Sequence, residues 1–218
     1  MNLIDRINEI AKELELDKIV ELSQRVFKDD HPQLDWAYLF AETEENQDSG
    51  FQAAAEMKRQ ELSRTFLVIN GEEKHGFPGY AKWQRRLGQL VGYDNVKPVP
   101  IGDPSQVNTL SESEALVRYA MEQKQGRLYI VAPPFHLLRA FMTCASATLK
   151  TYDQLSIFNY AGVTLPWGEV VTHSQGVLRA PRRELIGYEL ERIKKYQEKR
   201  DILPTQRILD YMDKRNTR

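Results

Sequence analysis

Arg127-Leu-Tyr-Ile-Val-Ala-Pro-Pro-Phe-His136-Leu-Leu-Arg139-Ala140 is the stretch that decides the fold. Leu128 to Ala132 is an apolar run of strand length. Pro133 and Pro134 end it and suit the first positions of a helix, where a missing N–H costs nothing. His136 and Arg139 follow at i and i+3 and so share one helix face. In open α/β sheets, ligands bind in the crevice beyond the carboxyl ends of the strands. The pair therefore stands where a site is expected.

Working outward, strands and helices alternate. Trp36 to Phe40, Thr65 to Ile69, Val96 to Ile101, Leu128 to Ala132 and Leu155 to Val163 read as strands. Helices are expected over Gly50 to Glu61, Gly79 to Val91, Thr109 to Lys124 and from His136 to about Leu149. Pro98 and Pro100 make the third strand an edge. This alternation predicts an α/β fold with three Rossmann-like layers: a mainly parallel sheet of about five strands, its first strand central, with added N- and C-terminal helices.

Residues 1–32 form an N-terminal helical segment. Leu3, Ile7, Ile10 and Leu14 mark one helix; Val20, Leu22 and Val26 mark a second. Residues 33–165 form the α/β domain. Residues 166–218 are a C-terminal helical extension packed on it. There, Pro166 to Pro181 reads as irregular and Arg182 to Arg200 as a charged helix edged by Ile186, Leu190, Ile193 and Tyr196. Pro204 breaks that helix before a last one carrying Ile208, Leu209 and Met212.

The 218 residues, 41% hydrophobic and 28% charged, suffice for one sizeable core. A formal net charge of -1 argues against a general nucleic-acid binder. One cysteine, Cys144, excludes an internal disulfide framework, and its small apolar neighbours mark a buried structural residue. No apolar run approaches the roughly 18 residues of a membrane span, so a soluble, cytoplasmic protein is expected.

A helix N-terminus carries free N–H groups and partial positive charge. With the Arg139 fork it makes an anion site, and His136 could share the anion or move a proton. The plain alternative pairs Arg139 with a carboxylate and His136 with backbone. Thr109 and Glu112 form a capping-box pattern; the functional reading places Asn108 and Thr109 at the crevice, with Glu112 orienting His136 or Arg139. Asn70, Gly71 and Glu72 follow the second strand, either as ligand contacts or as an ordinary turn. Glu42 and Glu44 follow the first strand, in a solvated acidic loop or within reach of a ligand. Glu72, Glu73 and His75 match no strong metal spacing, and no metal is expected. Glycine-rich nucleotide loops, a nucleophile elbow and a zinc-helix motif are missing from the sequence.

The order Asp35 before Trp36, Ile69-Asn70-Gly71-Glu72, Asn108-Thr109 and His136-Leu-Leu-Arg139-Ala140 resembles the YdcF/SanA/ElyC family, bacterial proteins filed as a domain of unknown function. Glu189-Leu-Glu191-Arg192-Ile193-Lys-Lys-Tyr196 is similar to that family's closing helix. The likeness covers roughly residues 34 to 200. Departures are Glu42-Thr43-Glu44-Glu45-Asn46 in place of a glycine-rich turn, Asn70-Gly71-Glu72 in place of Ser-Gly-Gly, and Glu112 three residues after Thr109 instead of two. Lacking a membrane anchor, the chain looks most like the soluble YdcF type. The resemblance implies a Rossmann-like sheet and S-adenosylmethionine as one ligand class, and brings no defined reaction.

Three functions follow as expectations. The first is binding of a small anionic or nucleotide-like ligand, S-adenosylmethionine or a phosphorylated metabolite, by Asn70, Gly71, Glu72, Asn108, Thr109 and Arg139. The second is phosphoryl or glycosyl transfer or hydrolysis with His136 as general acid/base and Glu112 orienting it. The third is a non-catalytic protein-interaction module.

Overall fold

The structure, a computed structural model, describes residues 15–173 and 178–217. The helix expected over Leu3 to Leu14 lies outside them. In chain order the elements are α1 (Leu16–Phe27), β1 (Trp36–Leu39), α2 (Gln47–Arg59), β2 (Thr65–Ile69), α3 (Tyr80–Val91), β3 (Val96–Val99) and α4 (Thr109–Glu122). There follow β4 (Arg127–Ala132), α5 (Pro134–Thr151), β5 (Ser156–Ala161), β6 (Val170–Thr172), β7 (Arg179–Pro181), α6 (Leu185–Glu198) and α7 (Thr205–Asn216).

Five strands form an all-parallel sheet in the order β3-β2-β1-β4-β5. The central strands are apolar on both faces: Phe66 to Ile69 and Leu128 to Ala132 are buried throughout. Such strands need a helical layer on each side. The chain steps outward from β1 through β2 to β3, then returns to β4 on the other flank of β1. Right-handed crossovers place the helices of these two excursions on opposite faces. Accordingly α2 packs with α3, and α4 packs with α5. The loops after β1 and β4 diverge at this reversal and open a crevice at the carboxyl edge of the sheet.

The terminal helices close the molecule. Arg215 of α7 is buried and grips Asp29 just beyond α1 through Nη1–Oδ2 at 2.8 Å and Nη2–Oδ1 at 2.6 Å. Asp29 Oδ2 also accepts from the Asn159 N–H in β5 at 2.9 Å. A two-stranded antiparallel hairpin, β6–β7, puts Val171 and Ala180 against Phe135 and Leu185 in a small second core. Among the described residues no helix is long and apolar enough to cross a membrane.

Several expectations shift. Val20 is 46% exposed; the inner face of α1 is Ile19, Leu22 and Val26. The segment from Pro166 to Pro181 is not wholly irregular, since it contains the hairpin. In α6, Ile186 is exposed and the inner positions are Leu185, Glu189 and Ile193, because Glu189 is held inward by Arg139 and His173.

Gly71 follows β2, and its carbonyl accepts from the Tyr80 N–H at 3.0 Å to start α3. A Cβ there would overlap Val107 Cγ2 and sit 3.5 Å from the Pro104 carbonyl oxygen. Gly71→Ala should therefore cost about 1–3 kcal/mol. Chemical denaturation should show much of that loss recovered in the Gly71→Ala/Val107→Ala double variant.

Candidate functional site

β1 and β4 deliver the first two groups. Glu42 lies three residues beyond the end of β1, and His136 lies in the first turn of α5. Both are buried. His136 Nδ1 lies 2.5 Å from Glu42 Oε1, and its Nε2 lies 3.3 Å from Thr109 Oγ1. Phe40 meets the imidazole edge-on with centroids 5.8 Å apart, which fixes the ring. When Glu42 accepts from Nδ1–H, Nε2 is left to accept from the Thr109 hydroxyl.

Arg139, one turn along α5, completes the cluster. Its Nη1 donates to Thr109 Oγ1 at 2.7 Å. Nε and Nη2 both engage Glu189 of α6, Nη2 at 3.2 Å from Oε1. His173 Nε2 donates to Glu189 Oε1 at 2.6 Å, and Arg192 Nη1 donates to His173 Nδ1 at 2.7 Å. Burial alone would raise the Glu189 pKa, but Arg139 and the His173 hydrogen bond hold it well below the usual carboxylate range. Burial lowers the His173 pKa, and the charges of Arg192 and Arg139 lower it further against the pull of Glu189. A neutral His173 is also what its two bonds require, one nitrogen donating and the other accepting.

Glu112 turns inward from α4. Its Oε2 accepts from Tyr38 OH at 2.8 Å and from the Ala41 N–H at 2.9 Å. Burial lifts its pKa to about 8, aided by the charge of Glu42 and opposed by those two donors and Arg139. Glu112 is therefore mostly a neutral acid at pH 7. Glu42 Oε2 is buried without a hydrogen-bond partner among the described residues. Both acids line a cavity of about 20 Å³, room for one water.

Thr109 and Arg139 also line a cavity of about 510 Å³ at this edge of the sheet. Lys74, Arg139 and Arg192 supply its cations, and Asp201 its carboxylate. Asn108, Gln106 and Thr143 add hydrogen-bonding groups; Leu110, Tyr196 and Ile202 add apolar wall. A second cavity, about 570 Å³, lies at the opposite edge beside Asp35, Arg64 and Arg127. It contains none of the clustered groups.

The sequence-derived site is thus partly redrawn. His136, Thr109 and Arg139 come together as expected, with Asn108 and Glu112 beside them. Arg139 is not an open anion fork, because Glu189 occupies it. The α5 N-terminus does not face the cavities at this edge: none of Pro134, Phe135, His136 and Leu137 lines one, and the N–H groups of His136 and Leu137 both bond to the Pro133 carbonyl. The α4 cap is Asn108 with Ser111, not Thr109 with Glu112; Asn108 Oδ1 accepts from the Leu110 and Ser111 N–H groups. Glu112 bonds to neither His136 nor Arg139, but to Tyr38 and Ala41. Asn70 and Glu72 are exposed and, with Gly71, line neither cavity at this edge, because their backbone forms the turn between β2 and α3.

Glu42 is not in a solvated loop, whereas Glu44 is exposed and lines neither cavity. The sequence reading missed Glu189, His173, Arg192 and Lys74. Only Glu189 left a signal: it lies four residues from both Leu185 and Ile193, in phase with the buried face. Among the described residues no group of three or more histidines, cysteines or acids is placed to hold a metal. The fold and site define a Rossmann-like α/β protein with a buried acid–histidine–hydroxyl chain beside a cation-lined cavity. No family model, curated protein or solved structure matches the chain.

Two outcomes follow. Removing Arg139 leaves Glu189 buried and short of its main partner, so Arg139→Ala should lose about 3–5 kcal/mol in a urea titration. The Glu112 pKa is raised from 4.5 to about 8, so the folded chain holds the extra proton between those values. Its stabilising effect is complete below the lower value and is lost as pH rises through the upper one. Wild type should therefore weaken relative to Glu112→Gln across this window, by up to about 1.4 kcal/mol per pH unit. A stability gap independent of pH would assign Glu112 an ordinary pKa.

Proposed function

We propose that the chain binds a small anionic molecule in the 510 Å³ cavity at the carboxyl edge of the sheet. The observation that carries this reading is the lining, which sets Lys74, Arg139 and Arg192 against Asp201. Lys74 and Arg192 are the side chains we assign to the anion, with Asn108 hydrogen-bonding its polar groups; within the protein Lys74 also donates to the Ser105 carbonyl and Arg192 to His173. A phosphorylated or carboxylated metabolite suits this balance. S-adenosylmethionine, which the YdcF-like resemblance brings in, carries a sulfonium and an ammonium that one carboxylate serves less well. We keep that kinship as part of the proposal; it is supported by the parallel sheet and the nearness of Thr109, His136 and Arg139. An open cavity of this size favours a ligand site over a purely protein-interacting module.

A second reading, group transfer or hydrolysis with His136 as general acid/base, is favoured by one arrangement. The imidazole is held by Glu42 on one nitrogen and meets the cavity-lining Thr109 hydroxyl on the other. His136 itself does not line the cavity; its Nε2 lies 3.3 Å behind the Thr109 hydroxyl, beside the atoms that would react there.

Thermal shift with succinate, inorganic phosphate, sugar phosphates, nucleotides and S-adenosylmethionine tests the binding reading. A ligand at about 100 times its Kd should add about 2.7 kcal/mol. Succinate or a phosphorylated compound should stabilise the wild type, with a much smaller effect on Lys74→Ala/Arg192→Ala. Equal stabilisation of both proteins would place the ligand elsewhere.

A further inference from the structure

We propose that Thr109 is a nucleophile, accepting the acyl group of an ester that also carries an anionic substituent. This rests on the cavity as an anion site and adds a covalent step to it. Thr109 is the first residue of α4, where the helix end favours developing negative charge. Its Oγ1 meets His136 Nε2 at 3.3 Å and receives Arg139 Nη1 at 2.7 Å. A base on one side and a fixed cation on the other are the two devices that activate a hydroxyl. Glu42, at 2.5 Å from Nδ1, orients the base and stabilises the imidazolium that forms. Nucleophile, base and orienting acid come from three different chain segments and meet at the sheet reversal. Of these, Thr109 lines the large cavity. Lys74 and Arg192 line the same cavity and supply the charge that would seat the anionic end of the ester.

The step balances without a cofactor. Thr109 Oγ bonds to the carbonyl carbon while its proton passes to His136 Nε2. The tetrahedral adduct collapses, the ester C–O bond breaks, and Nε2–H protonates the departing alkoxide. Water then enters, gives a proton to Nε2 and adds to the acyl carbon. Its collapse releases the carboxylic acid, and the proton returns from Nε2 to the Thr109 oxygen. Thr109 and His136 touch the reacting atoms; Glu42 is a positioning residue.

The probe is mono-p-nitrophenyl succinate with the full chain, followed by p-nitrophenolate release and peptide mass spectrometry, with succinate binding measured in parallel. The expected result is a burst stoichiometric with protein and a succinyl group on Thr109. Thr109→Val, which keeps side-chain shape, should still bind succinate and lose the burst at least ~100-fold. Thr109→Ser should retain it. Glu42→Gln should slow the burst and change its pH profile without moving the label. Succinate bound by wild type with no burst, or a succinyl group on a lysine that persists in Thr109→Val, would overturn the nucleophile while leaving the anion site standing. Failure of succinate to bind would overturn the nucleophile, and failure of inorganic phosphate and the phosphorylated compounds as well would overturn both.

Discussion

The buried pairing of Glu189 with Arg139 is the constraint on which the rest of this edge depends. A carboxylate taken out of water this completely is tolerable only if its lone pairs are filled by charged or strong donors. Arg139 supplies two of them and His173 a third, drawing together α5, α6 and the segment just after β6. That attraction sets the inward phase of α6 and seats the C-terminal extension against the α/β domain. It also fixes the guanidinium so that its remaining Nη1 meets Thr109. The wall of the large cavity is built from the same groups, Arg139, His173 and Arg192.

From this clamp the chemistry follows. Arg139 is committed to Glu189 and Thr109, Arg192 donates to His173 and Lys74 to the Ser105 carbonyl, and all three line the cavity. The acids divide by environment. Glu42 contacts a histidine and serves it as an acceptor. Glu112, facing Tyr38 and a backbone N–H, is pushed toward its neutral form. Two carboxyls with separate roles, one holding a base and one carrying a proton, share a cavity of about 20 Å³.

Much of the fold was legible because local and global signals agree. Thr65 to Ile69 is a strand to the residue, bounded by Ser63-Arg64 and Asn70-Gly71. Pro98 and Pro100 foretold an edge, and β3 is one. The hairpin was hidden because its strands are three residues each and one ends at Pro181. At the start of α4, asparagine, serine, threonine and glutamate all suit a capping box, so pattern alone set the cap one residue late. Of the site, His136, Arg139 and Thr109 were legible from their place after strands and at helix starts. Their partners were not. Glu42 and Glu189 lie 94 and 50 residues from the side chains they hold, and nothing local distinguishes them from solvated acids. The spacing of Leu185, Glu189 and Ile193 is the one trace, and a charged helix conceals it.

The central claim is that Glu42, His136 and Thr109 form an oriented proton path into the cavity. Nitrogen NMR of the His136 imidazole at neutral pH tests it most directly. The account predicts a proton on Nδ1, a bare Nε2, and conversion to the opposite or an averaged tautomer in Glu42→Gln. A proton resident on Nε2 in the wild type would contradict it, because the imidazole could then take nothing from Thr109.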